Sequence, residues 1–320
     1  LGGKVAYLDF LPEILRPDPW FLAAGVAADL LLGDPVYRAH PVRLIGWTLT
    51  RFENTLRRAG LDGYAGGIAL FALLGTIWVG VIFFLQGTAA KVIHVFLVYS
   101  LLALRDLLHH GLDVERGDTH HARRAIAKLV GRDTARMDAQ ACRRAAIESF
   151  SENLTDGFIS PIFWYTAAGL PGLILFKVVS TMDSMIGYKT PRYFQFGWCG
   201  ARLDDAMNFI PARLTYLLIG FVAMFVPGCS AAKALRIGWR QHAIVPGPNS
   251  GWSEATTAGA IQRKLIGPIW ESGNLVTSVW LGDPNDPPAG ASGDFHRAAI
   301  LLTTTGILFA ILAISLLAKT

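Results

Sequence analysis

The chain is poor in charge. Asp, Glu, Lys and Arg make up 17% of its 320 residues, where a soluble domain carries about 25%. With 52% apolar residues and a mean hydropathy of +0.39, that deficit argues against an ordinary soluble protein. Cysteine is scarce too. Cys142, Cys199 and Cys229 are odd in number and unspaced, which excludes a disulfide framework or a metal knuckle. Lys4, Asp9, Glu13 and Arg16 break up any secretory leader pattern at the start. There is no glycine-rich phosphate loop, no dinucleotide fingerprint and no nucleophile elbow. The net charge of +5 does not form a basic stripe, so nucleic acid is not an expected partner. Lys and Arg sit instead in segments beside apolar runs, where they report membrane orientation and contact with lipid headgroups.

What is present is a series of apolar runs. Trp20 to Leu32 is short for a span and is stopped by Gly33-Asp34-Pro35. Gly66 to Leu85 is long enough to cross a bilayer, which takes about 20 residues. Val92 to Leu104 follows as its hairpin partner, and Ala298 to Ala318 forms a final transmembrane helix. Phe158 to Val179 could also span, but Ala168-Gly169-Leu170-Pro171-Gly172 breaks it, so a re-entrant hairpin competes with a simple crossing. Leu214 to Val226 is a shorter run. Between the runs, 35–62 is polar. Residues 105–157 mix alanine and charge at helical spacing, with Asp118 predicted to cap one helix, Gly131 to end it, and Asp133 or Thr134 to cap the next.

The predicted fold is therefore all-α: a polytopic integral membrane protein with cytoplasmic amphipathic helices and a re-entrant hairpin. It reads as one membrane-embedded domain, 1–320. N-terminal membrane helices with a cytoplasmic loop occupy 19–104, and a cytoplasmic helical segment 105–157. A membrane hairpin with an acidic loop and helix follows over 158–228, then a loop-rich segment over 229–297, and the last transmembrane helix over 298–318. The positive-inside rule puts 33–65 and 105–157 in the cytoplasm; topology after Pro211 stays open.

Polar residues gather between Glu148 and Asp205. Glu148, Glu152 and Asp156 recur every four residues, which puts them on one helix face, with Asn153 nearby. Three acids approaching a helix C-terminus repel one another and the macrodipole. A divalent cation would relieve both, and Mg²⁺ suits such oxygen ligands. A solvated face paired with Arg143 and Arg144 is the plainer reading. Asp183 stands at a membrane boundary, a default functional candidate, against a cap paired with Lys189 or Arg192. Asp204, Asp205 and Asn208 form a second acidic patch beside Arg202. Arg43 and Arg132 could hold phosphate bidentately, and Lys189 and Arg192 flank Pro191. His40 is a candidate proton acceptor, though a lone His is more often structural. Asn249 and Ser253 mark a loop-to-helix transition.

Five stretches in order carry a resemblance. They are LLGDPVYRAHPVRLIG, LVGRDTARMD, ESFSENLTDGFISPIFW, STMDSMIGYKTPRYFQFGWCGARLDDAMNFIPARLTYLL and ALRIGWRQH…PNSGWSEATTAGA. Together they resemble the adenosylcobinamide-phosphate synthases of cobalamin biosynthesis, the CobD/CbiB family, from about Leu22 to Asp283. The resemblance implies a multi-pass enzyme of the cell inner membrane with its active face in the cytoplasm. The implied reaction is ATP-dependent amide formation between the corrinoid adenosylcobyric acid and (R)-1-amino-2-propanol or its O-phosphate, giving adenosylcobinamide or its phosphate. It implies ATP and Mg²⁺, with Glu148, Glu152, Asp156 and Asp183 as the metal set. Arg43, Arg132, Lys189, Arg192 and Arg202, with Asn153, Asn249 and Ser253, would bind substrate or phosphate. Asp156, Asp183, Asp204, Asp205 and His40 would be catalytic, and Trp164, Tyr188, Trp239 or Trp252 would line a corrinoid mouth. Homo-oligomerisation is left open. Two other classes remain: a membrane sensor from a related superfamily branch, and a Mg²⁺-dependent transferase acting on a phosphate-bearing lipid. The two spaced Asp-x-x-Asp motifs of polyprenyl transferases are not both present, and most charges here lie outside the spans.

Overall fold

The computed structural model describes residues 11–34, 37, 39–85, 87–271 and 273–319; Lys4 and Asp9 lie outside them. Helices dominate. Asp18 opens α1 (Pro19–Leu32), accepting from the backbone N–H of Trp20 and Phe21, and Gly33 (φ 69°) ends it. Next come α2 (Pro41–Arg58), α3 (Tyr64–Ile82), α4 (Gly87–Ser100), α5 (Leu104–Glu115), α6 (Thr119–Ile126) and α7 (Ala139–Leu154). A π-turn at Thr155–Ile159 leads to α8 (Ser160–Ile186), then α9 (Trp198–Met207), α10 (Phe209–Val222), α11 (Ala231–Gln241) and α12 (Ser250–Ile261). Two small antiparallel ladders interrupt the helical pattern. β1 (Leu265–Ile266) pairs with β4 (Trp280–Leu281), and β2 (Ile269–Glu271) with β3 (Asn274–Thr277). The chain ends in α13 (Asp294–Leu317).

Four helical runs are long and apolar enough to cross a membrane: 64–82, 89–115, 139–186 and 294–317. The second is interrupted at 101–103, and the third at the π-turn and again at Ala168–Gly169. At 14 residues, α10 falls short of the usual span.

The chain divides into two compact units. The first holds residues 1–103, 160–208 and 310–320, and the second 104–159 and 209–309.

In the first unit, α2, α3 and α8 share a core of Ile45, Leu49, Leu70, Leu74, Val178, Met182 and Ile186, closed by Phe196. The polar segment expected at 35–62 is mostly this helix α2. Its buried residues fall one turn apart, at Pro41, Ile45, Leu49 and Glu53. The sequence hairpin at 158–179 is visible in α8. Ala168 (φ −142°, ψ 16°) and Gly169 (φ 66°, ψ −156°) leave helical geometry ahead of Pro171. Helix α9 lies along both arms. Trp164 donates to the Met207 carbonyl at 3.0 Å and Ser160 to Asn208 at 2.5 Å, while Gly200 packs against Met182 and the Asp183 backbone. Residues 200 to 208 span about 12 Å of helix. A straight helix would separate 160 from 183 by about 35 Å, so α8 folds back on itself.

In the second unit, α12 is buried along its whole length and α11 packs on it closely, with Gly259 against the Lys233 carbonyl and Gly238 against Tyr216 and Thr256. Residues 229–297 are thus far more structured than the loop-rich reading. The run SGWSEATTAGAI carries small residues on every face, so it has no amphipathic period to detect. Asp118 caps α6 as predicted, accepting from His121 N–H at 2.8 Å. However, α6 ends at Ile126, before Gly131, and Asp138 caps α7, accepting from Ala141 N–H at 2.7 Å. Asp133 instead accepts from Gly273 N–H, while its own N–H donates to the Trp270 carbonyl, both at 2.8 Å. It ties the β2–β3 hairpin to the 131–138 loop.

Candidate functional site

The second unit carries three neighbouring carboxylates, two of them buried and Glu152 exposed. Glu148 and Glu152 lie one turn apart on α7, and Glu254 comes from α12. Glu254 is 5% exposed and Glu148 9%, so both are removed from bulk water. Arg132 Nη2 donates to Glu148 Oε1 at 2.6 Å. Glu148 Oε2 and Glu254 Oε2 are buried with no hydrogen-bond partner. Burial pushes the Glu254 carboxyl well above the usual carboxylate range; Glu152 and Glu148 add to this, and Arg132 opposes it. Asp156 falls in the π-turn, and such turns recur at functional sites. Asn153 bonds back to the Ser149 carbonyl at 2.8 Å.

Among the described residues, no three His, Cys, Asp or Glu side chains converge as a preformed metal site. The expected four-residue metal set is also divided, with Glu148, Glu152 and Asp156 in the second unit and Asp183 in the first. The orphaned oxygens of Glu148 and Glu254 still fit a Mg²⁺ that arrives with phosphate, since this ion usually takes only one or two carboxylates besides phosphate and water.

Next to Arg132 is a cavity of about 170 Å³, lined by Arg132, Arg136, Arg144, Asp133, Asp138 and Trp270, among others. Arg136 lies over the Trp270 ring at 5.2 Å and Arg144 over Trp280 at 4.9 Å. Arg144 Nε donates to the Ile266 carbonyl at 2.9 Å. At the start of α12, Ser253 bonds to the Ser250 carbonyl. Asn249 Oδ1 accepts from Arg213 at 2.9 Å, and that guanidinium stands over Phe209 at 3.6 Å. Trp252 stacks on His242 at 3.8 Å and meets the exposed Trp239 at 5.9 Å.

The first unit gathers the other acids. Asp204 accepts from Asn208 Nδ2 at 3.0 Å, and Asp205 pairs with Arg202 at 3.2 Å. Asp204 is pushed up to about 7, first by burial and then by the Asp183 charge; Asn208 and Lys177 pull the other way. A carboxyl that titrates there can exchange a proton at neutral pH.

The remaining cations are less free than the sequence suggests. Arg192 Nη2 donates to the buried Glu53 at 3.1 Å, a carboxylate that Arg57 also holds at 2.9 Å. His40 is buried, with its Nε2 2.8 Å from Asp34 Oδ1. Arg43 reaches the Tyr37 carbonyl at 3.4 Å. Lys189 is exposed, as is Tyr188, while Trp164 is spent on Met207.

Sequence reasoning missed Glu53, Arg136 and Lys177, and placed Glu254 only in a loop-to-helix transition without a role. Lys177 stands in the apolar run LILFKVV and Glu254 among small residues. A charge in such surroundings was the available signal. Arg136 carried no signal, because the hairpin that completes its cavity was read as loop.

A sequence description of a family, CobD/Cbib protein, matches residues 22–302. A cobalamin biosynthesis protein CobD of Pelobacter propionicus is 37% identical over 94% of this chain and 96% of its own length. A CobD of a Sinorhizobium species is 40% identical over 82% of this chain and 87% of its own. A cobalamin biosynthesis protein CbiB of Salmonella arizonae is 36% identical over 80% and 84%. No solved structure matches.

Proposed function

The chain belongs to the CobD/CbiB family of cobalamin biosynthesis proteins, and on that footing we propose that it joins adenosylcobyric acid to (R)-1-amino-2-propanol or its O-phosphate, using ATP. The observation that carries this reading is the pair of buried, partnerless carboxylate oxygens on Glu148 and Glu254, beside Arg132 and a basic cavity. Buried acids with orphaned oxygens are costly, and a phosphate-bound divalent ion would satisfy them.

The proposed chemistry has two halves. A carboxylate oxygen of the corrinoid attacks the γ-phosphorus of ATP, the bond to the β–γ bridging oxygen breaks, and ADP leaves. The amine nitrogen then attacks the acyl carbon, the C–O bond to phosphate breaks, and phosphate leaves with that electron pair. Glu148 and Glu254 would hold a Mg²⁺ that arrives with phosphate, with Glu152 one turn on from Glu148; the ion would supply neutralisation of phosphate charge. Arg132 would balance charge on the transferring group. Trp239, which is exposed, offers flat apolar surface for a corrinoid. The four apolar runs support a membrane location, with the charged segments proposed on the cytoplasmic side.

The test is an assay of purified protein with Mg²⁺, ATP, adenosylcobyric acid and each amine. One amide and one ADP per turnover are expected, and Glu254→Gln should lower kcat by about 100-fold or more. Phosphate transfer to a lipid without amide, or corrinoid-independent ligand sensing with no turnover, would overturn the proposal.

A further inference from the structure

We infer that the cavity between the 131–138 loop and the β2–β3 hairpin is the subsite that receives the phosphate group of a substrate, with Arg132, Arg136 and Arg144 as its donors. This rests on the proposed reaction only for the identity of the ligand.

Three guanidinium groups face one cavity. Such a grouping repels itself unless an anion sits among them. Nearby acids offset part of that charge, since Asp138 and Glu148 act on Arg144 and Glu148 pairs with Arg132, but these acids also have structural partners. Asp133 holds Gly273 N–H and Asp138 caps α7. The guanidiniums are also pre-set. Arg144 is fixed by the Ile266 carbonyl and the Trp280 ring, and Arg136 rests against Trp270. Arginine held this way loses little freedom on meeting a phosphate and can meet it bidentately. At about 170 Å³ the cavity is smaller than the roughly 300–1,000 Å³ of sites that enclose a drug-sized ligand. It suits a phosphate group, not a corrinoid. Arg132 belongs to both the cavity wall and the Glu148 pair, so an anion in the cavity competes directly with Glu148 for that guanidinium.

The shared chemistry is phosphate. Its sources could be the ATP polyphosphate, the O-phosphate of the amine, or a lipid headgroup, and the experiment separates them. Trp270 lines the cavity, so its fluorescence reports occupancy. Full-length protein in detergent is titrated with sodium tripolyphosphate, ATP and aminopropanol O-phosphate, with Trp270→Phe as the optical control. Arg136→Gln is the main variant, because Arg136 is exposed and its loss leaves the fold intact; Arg144→Gln is the second. Tripolyphosphate and one of the two substrates should quench Trp270, and each variant should weaken that ligand by about tenfold or more, as expected for losing a charge-assisted hydrogen bond. Free aminopropanol should bind equally to wild type and variants. Unchanged phosphate affinity in both variants overturns the inference, even if amide formation proceeds. Competition by anionic lipid vesicles, but by neither substrate, overturns it in favour of a headgroup site. If tripolyphosphate binds as described and no amide forms, the subsite stands and the proposed reaction falls.

Discussion

Asp204 on α9 sits in surroundings that disfavour its charged form. Burial and the neighbouring Asp183 raise it from 3.8 to about 7. A carboxyl with a raised folded-state value binds its proton more tightly in the folded protein. Its stabilising effect is complete below about pH 3.8 and is lost as pH rises towards 7. Asp204→Asn removes that loss: its melting temperature should match wild type at pH 4 and exceed it at pH 8. Parallel melting curves at both pH values would show that the environment of Asp204 does not raise it. Arg132 and Glu148 make the opposite kind of pair, about 11% and 12% exposed and in direct contact. Arg132→Ala leaves a buried acid unpaired and should cost about 3–5 kcal/mol, read by denaturant unfolding. Arg132→Met with Glu148→Gln should recover most of that loss.

Helix α8 owes its shape to one break. Gly169 has φ 66°, and a Cβ there would overlap the Leu15 carbonyl. Gly169→Ala should destabilise the protein by more than about 1 kcal/mol, measured as a lower melting temperature; an unchanged value would contradict the fold-back at 168–169. This break was legible because Gly and Pro are strong local signals. So were α3 and α13, from their long apolar runs, and the cap at Asp118. The elements that stayed hidden failed for physical reasons. Only three of the buried positions in α2 are its apolar stripe or acid, Ile45, Leu49 and Glu53, under a charged exterior that reads as loop. Helix α12 is buried on all sides by small residues, so it has no polar face to set its period. The β2–β3 hairpin is held largely by Asp133, far away in sequence, and no local pattern announces such a partner.

The candidate site was legible in part for the same reason. Acids and cations against apolar sequence identified Glu148, Glu152, Asp183 and Asp204. The sequence could not tell that Arg192 is occupied by Glu53, that His40 sits against Asp34, or that Glu254 joins Glu148 and Glu152, because each depends on a contact made only after folding. For the whole protein, the proposed orientation predicts that Arg202→Cys, at an exposed position on α9, reacts with a membrane-impermeant thiol reagent from the cytoplasmic side only; labelling from the other side would reverse the topology. The central claim is ATP-driven amide formation through an acyl phosphate, and isotope transfer tests it most directly. Adenosylcobyric acid labelled with ¹⁸O in its reacting carboxylate is turned over by purified protein with ATP and the amine. One labelled oxygen should appear in the inorganic phosphate for each amide formed. Unlabelled phosphate, or label in AMP, would contradict the account.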